Sequence, residues 1–155
     1  MSPTSFLNIL LLLKIIQNLQ KIKQQPFDVA WNKNHGATVV YFAFGDGGLA
    51  AYNWTSAALI RYLGTDLHPE AIIVDTSGST NIIYISEPSK NRISVLSENG
   101  TILSQFPTAT CPLSIFGFNG KIFVTNSQGS GVTEFVISNK SFFFLILQKN
   151  EIDTI

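Results

Sequence analysis

The stretch that decides the fold covers residues 82–97 and reads IIYISEPSKNRISVLS. Two runs rich in Ile, Val and Tyr, which have high β-propensity, flank the turn-forming segment 87–91. This pattern predicts a β-hairpin. The segment 98–100, Glu-Asn-Gly, follows directly, and Asn-Gly between two β-runs indicates a second hairpin because both central residues must accept a positive φ.

The same landmarks recur along the chain. A proline precedes an apolar run at intervals of 43 residues, at Pro26, Pro69 and Pro112. An aromatic residue inside a β-run follows each proline, at Tyr41, Tyr84 and Phe123. A unit of four short strands and roughly 40–45 residues is typical of a propeller blade. A helical repeat would need apolar residues three and four apart, whereas these alternate or run continuously.

The sequence therefore predicts an all-β protein, with three four-stranded antiparallel sheets arranged as β-propeller blades in an incomplete ring. A β-sandwich with a chance period is the alternative. We expect the blades at residues 25–66, 67–109 and 110–147, followed by a tail at 148–155. The twelve expected strands are 27–31, 39–44, 49–53, 59–63, 71–75, 82–86, 92–97, 101–106, 113–118, 121–125, 132–137 and 142–147.

Three blades do not close a ring, which takes roughly four to eight. An open arc leaves two unpaired sides, so we expect either a truncated chain, which the sequence favours, or a homodimer whose two copies make six blades.

The N-terminal segment, residues 1–24, contains an apolar run at residues 6–16. This run is too short for a membrane-spanning helix, which needs about 20 apolar residues, so no membrane span is predicted. Three alternatives remain open: a short amphipathic helix that caps a sheet, a weak signal peptide interrupted by Lys14, and strands of a partial blade. The compartment is undetermined, and the sequence favours the cytoplasm over secretion.

The charge distribution argues against nucleic-acid binding. Residues 26–155 carry seven basic and ten acidic residues, whereas backbone-driven nucleic-acid binding needs a basic face. The single cysteine, Cys111, excludes an internal disulfide and a zinc site built on a cysteine pair. Its position before Pro112 predicts a packed thiol.

Residues 84–96 resemble the core of the NHL repeat, which reads Tyr-Val-x-Asp-x-x-Asn-x-Arg-Ile-x-Val-Phe. Glu87 stands where that family usually has Asp, and Lys90 where Asn is common. The resemblance covers about residues 25–147, but the other two copies are degenerate. It implies a β-propeller, without a particular function. It also implies that Glu87 and Arg92 are structural and pair across the hairpin loop.

Propeller sites usually lie on one face, where the loop between the second and third strands meets the connection entering each innermost strand. We predict that a protein or small ligand binds on this loop face, through Asp28, Asp46, His68, Glu87, Lys90, Asn91 and Asn126. The glycine-rich segment 45–48 either approaches a ligand closely or simply forms a turn. His68 is expected to be solitary and solvated, so that it makes no metal site with His35. We predict no catalytic residue, bound metal or cofactor.

The preferred functional prediction is a non-enzymatic interaction module. The alternative is a fragment of a propeller hydrolase or lyase, similar to the lactonases or the peptide-amidating lyases, in which missing blades complete a metal site that includes Asp28. RNA binding, as in some NHL proteins, is disfavoured by the acidic charge balance.

Overall fold

The computed structural model describes residues 9–11, 13–17, 26–32, 39–64, 66–108, 110–118, 121–127, 132–138 and 141–145. These residues form three four-stranded antiparallel sheets, each built from strands consecutive in sequence. The predicted fold class is confirmed: the protein is mostly β and its sheets are arranged like propeller blades.

Blade 1 contains β1 (Asp28–Trp31), β2 (Val39–Ala43), β3 (Leu49–Asn53) and β4 (Ala58–Leu63). Blade 2 contains β5 (Ala71–Asp75), β6 (Ile82–Glu87), β7 (Arg92–Ser97) and β8 (Ile102–Pro107). Blade 3 contains β9 (Pro112–Phe118), β10 (Lys121–Asn126), β11 (Val132–Ser138) and β12 (Ser141–Leu145). Short 3-10 helices, Gly45–Gly47 and Pro88–Lys90, join the second and third strands of blades 1 and 2. The strand predictions are confirmed to within one residue, except that the last two residues of the predicted strand 142–147 and the predicted tail 148–155 lie outside the described residues.

The blades pack face to face because side chains alternate between the two sides of each strand. We call the side of a blade turned towards the preceding blade its backward face, and the opposite side its forward face. The forward face of blade 1 packs on the backward face of blade 2 in one apolar cluster: Tyr41, Ala43, Leu49, Ala51, Leu63, Leu67, Ile72, Ile83, Ile85 and Leu96. The forward face of blade 2 packs on blade 3 in a second: Ala71, Tyr84, Ile93, Val95, Ile115, Ile122 and Val124.

A helical segment covers the backward face of blade 1. Residues 9–11 and 13–17 are helical, and Ile15 is completely buried. Ile15 belongs to a third apolar cluster, with Val40, Phe42, Phe44, Ala50, Ala57 and Tyr52. The described residues of this segment are helical, and the rest of the predicted segment 1–24 lies outside the described residues. No helix in the described part of the chain is long and apolar enough to cross a membrane.

Candidate functional site

The loop face is organised around Glu87, whose side chain is completely buried at the end of β6. Its Oε2 atom accepts a hydrogen bond from Arg92 Nε at 2.7 Å and another from the Ser94 hydroxyl. Its Oε1 atom accepts from the backbone N–H of His68 at 3.2 Å and lies 3.1 Å from Lys90 Nζ. The predicted pairing of Glu87 with Arg92 across the hairpin loop is therefore confirmed.

These partners hold the Glu87 carboxyl in its charged form. Burial by itself raises its pKa, because a carboxylate is poorly solvated inside the protein. The hydrogen bonds from Arg92, Ser94, the His68 backbone and Lys90 outweigh burial and lower the pKa to about 2, from an ordinary value of 4.5. A carboxylate with so low a pKa is a poor proton donor or acceptor near neutral pH, so this group fits a structural role better than acid–base catalysis.

This pKa predicts an acid-dependent loss of stability. Because the unfolded Glu87 binds a proton more readily than the folded one, its contribution is present above about pH 5 and lost as pH falls towards the folded pKa of about 2. The full contribution is about 3 kcal/mol. Urea unfolding of the wild type and Glu87→Gln at pH 7, 5, 4 and 3 measures it. The difference between the two proteins should shrink as pH falls, and a pH-independent difference would contradict the expectation.

A second polar contact between side chains joins blade 1 to the connection that enters blade 2. His68 Nδ1 lies 2.8 Å from Asp46 Oδ1, and Asp46 itself is fully exposed. Lys90 Nζ donates a hydrogen bond to the backbone carbonyl of Asp66. Four of the predicted loop-face residues, Asp46, His68, Glu87 and Lys90, thus form one chain of contacts. The prediction that His68 is solitary is wrong, because its ring contacts Asp46, while its side chain is 38% exposed to solvent.

Of the other three predicted residues, Asp28 and Asn91 lie at blade junctions, and Asn126 lies within blade 3. Asp28 Oδ2 accepts a hydrogen bond from the Ile72 N–H at 2.9 Å, which ties β1 to β5. Asn91 Oδ1 accepts from the Cys111 N–H at 2.7 Å. Asn126 ends β10 and pairs with Pro112 after a register shift in the strand pairing.

Cys111, predicted to be a packed thiol, is partly buried and has a φ of 56°.

The glycine-rich segment 45–48 forms a tight turn. The Gly45 N–H donates to the Pro69 carbonyl at 2.9 Å, which fixes the turn against the entry to blade 2. Gly48 has a φ of 71°, and a Cβ atom there would collide with the carbonyl oxygen of Gly64. The glycine is therefore required by the close approach of two backbone segments.

The described residues show no group of three or more His, Cys, Asp or Glu side chains that could hold a metal ion. In particular, the carboxylate of Asp28, the metal ligand expected in the hydrolase or lyase alternative, is engaged by the backbone N–H groups of Val29 and Ile72.

A groove along the innermost strands was missed by sequence reasoning. It encloses about 600 Å³ where β1, β5 and β9 converge, and its lining includes Val29, Trp31, Ile73, Asp75, Phe116 and Phe118. Trp31, Phe116 and Phe118 are 54%, 62% and 59% exposed. The Phe116 and Phe118 rings stack with centroids 6.4 Å apart. The available signal was the aromatic residues of two innermost strands, namely Trp31 in β1 and Phe116 and Phe118 at alternate positions of β9.

No protein-family model and no curated protein matches this chain. Solved structures do. Hydrazine synthase of Kuenenia stuttgartiensis matches with a TM-score of 0.60 at 14% identity, over 74% of this chain and 32% of that one. BBS1N, in its complex with ARL6DN, matches with a TM-score of 0.60 at 12% identity, over 76% and 39%.

The computationally designed Ika4 protein matches with a TM-score of 0.56 at 11% identity, over 77% of this chain and 71% of Ika4. The chain thus spans about a third of the length of hydrazine synthase and about two fifths of the length of BBS1N. Both have propeller-like folds. At these identities the likeness defines the class of fold, a β-propeller-like arrangement of blades, and nothing more specific.

Proposed function

We propose that this chain is a non-enzymatic interaction module, an NHL-type propeller segment that binds a protein partner through its inner-strand groove. The observation that carries the proposal is the exposure of Trp31, Phe116 and Phe118 in one concave apolar surface. Exposed apolar patches in a concave site mark binding surfaces, and aromatic side chains dominate the binding energy of interfaces. The NHL assignment draws on the sequence of residues 84–96 and on the buried Glu87–Arg92 pair.

The polar loop face is a weaker candidate for the binding surface than the groove. Side-chain oxygen atoms of Glu87, Asp28 and Asn91 already accept hydrogen bonds from within the chain. A partner would therefore gain little from contacting them, because their internal hydrogen bonds would have to break. The exposed aromatic rings of the groove can contact a partner without breaking any internal hydrogen bond. They therefore offer the better anchor for an apolar side chain of a partner.

A peptide library tests this proposal with defined probes. Peptides selected on the wild-type protein should contain aromatic or large aliphatic anchors, and their affinity is measured by fluorescence anisotropy. Trp31→Ser should weaken the selected peptides by about 30-fold, since loss of an interface hot spot costs about 2 kcal/mol or more. Leu103→Ser is the matched control, because Leu103 is 53% exposed but lies on the outermost strand β8.

Equal affinity for the wild type and Trp31→Ser, or equal weakening by Leu103→Ser, would contradict groove binding. Thermal unfolding with and without Zn²⁺, Mn²⁺ or Ca²⁺ separates this proposal from a metal-dependent hydrolase or lyase. A bound metal would raise Tm in proportion to its affinity and concentration.

A further inference from the structure

The repeat defines which surface of each blade receives its neighbour. On the backward face of blade 2, Ile72, Ile83 and Ile85 pack against blade 1. The residues 43 positions earlier are Val29, Val40 and Phe42, which form the backward face of blade 1. Because equivalent residues of a repeat make equivalent contacts, this face is built to receive the forward face of another blade.

In this structure the N-terminal helix occupies that position. Ile15 is completely buried against the cluster that contains Val40 and Phe42. The helix covers the middle strands, whereas Val29 and Trp31 on the innermost strand are left largely exposed. The helix therefore replaces only part of the contact that a blade would make.

Among the described residues, no blade packs on the forward face of blade 3. Phe116 lies 43 residues after Ile73, which contacts the second apolar cluster between blades 2 and 3. Phe116 and Phe118 stay largely exposed because no further blade follows among the described residues. The three described blades thus present a forward face at blade 3 and a backward face at blade 1, the same two kinds of surface that pair between them.

We propose that a second copy of this chain is the partner of the groove, and that the helical residues 9–11 and 13–17 form a latch that blocks the pairing. Blade 3 of each copy packs on blade 1 of the other, so that two arcs of three blades close a six-bladed ring. A two-fold axis makes both contacts at once and removes the open sides. The zero net charge of the chain adds no overall repulsion to this pairing.

The latch has a simple physical basis. Ile15 and the forward face of blade 3 compete for the same apolar surface on blade 1, and the intramolecular helix is always present at high effective concentration. Blade 3 contacts the blade 1 surface only when Ile15 leaves it. Weakening the helix contact therefore favours the dimer. This inference rests on the proposed function, because it names the occupant of the same groove.

Light scattering of the full chain during gel filtration tests the latch. The wild type is expected at its monomer mass of 17.0 kDa. Ile15→Asp should release the helix and lower the dissociation constant of the dimer at least tenfold. The variant should then elute with twice the monomer mass. Leu13→Asp is the matched control on the same helix, since Leu13 is already 49% exposed, and it should stay monomeric.

A double variant identifies the surface. Ile15→Asp combined with Phe116→Asp should return the protein to the monomer mass. A folded Ile15→Asp monomer, a dimer of Leu13→Asp, or a dimer that survives Phe116→Asp would each overturn the proposal. Circular dichroism checks the fold, and Ile15→Ala replaces Ile15→Asp if the latter aggregates; aggregation of both variants regardless of Phe116 also overturns it. Peptide binding without dimer formation would leave the proposed function standing and remove only this inference.

Discussion

Replacing Glu87 with alanine is expected to lower the free energy of unfolding by about 3 kcal/mol at pH 7. Breaking a buried ion pair by removing one partner costs about 3–5 kcal/mol, because the remaining charge is left uncompensated. The side chains of Arg92 and Lys90 are 26% and 31% exposed, so water relieves part of that cost and the lower end of the range applies. Urea unfolding followed by circular dichroism measures the change.

The matched control for Glu87→Ala is Asp46→Ala. It removes the other carboxylate that pairs on the loop face, but Asp46 is fully exposed. Water and salt screen such a pair, so the midpoint of unfolding should stay unchanged. If the two variants were destabilised equally, burial of Glu87 would not be the source of its effect, and its assignment as the organising group of the loop face would be wrong.

The second large effect is expected from Gly48→Ala, with a loss of about 2 kcal/mol or more. An alanine there must adopt a φ of 71°, and its Cβ would collide with the Gly64 carbonyl oxygen. Left-handed strain costs about 1 kcal/mol or more for a residue with a side chain, and a backbone collision adds to it. The loop 45–48 or the segment near Gly64 would have to shift.

Gly78→Ala is the control for this substitution. Gly78 has no positive φ in the strained range, and the nearest atom to an added Cβ, the Thr80 carbonyl oxygen, lies 3.6 Å away. Its midpoint of urea unfolding should be unchanged or slightly raised, since alanine restricts the unfolded chain. A Gly48→Ala protein as stable as Gly78→Ala would show that the turn does not need its glycine.

The fold was predictable because local and repeated signals agreed. The Asn-Gly turn at residues 99–100 and the segment 87–91 fixed the hairpins of blade 2, and the 43-residue spacing of the prolines transferred that unit to the other copies. The Glu87–Arg92 pair was predictable for the same reason, since its members lie on adjacent strands in register.

The contacts between distant segments could not be predicted. His68 pairs with Asp46, 22 residues away, because the 45–48 turn and the entry to blade 2 converge in three dimensions. The burial of Ile15 against blade 1 likewise depends on how the helix docks on the sheet. The groove could not be predicted for the same reason. In the sequence Trp31 and Phe116 are ordinary strand residues, and they form one surface only because β1 and β9 converge.

In this fold, three four-stranded sheets stack side by side in sequence order. Methyl NOE spectroscopy tests it most directly, because glycines lie at both blade interfaces. Cross-peaks are expected between Leu63 methyl and Gly100 α protons, and between Ile73 methyl and Gly117 α protons. Absence of both cross-peaks from a fully assigned spectrum of the folded protein would contradict the stacking of the blades.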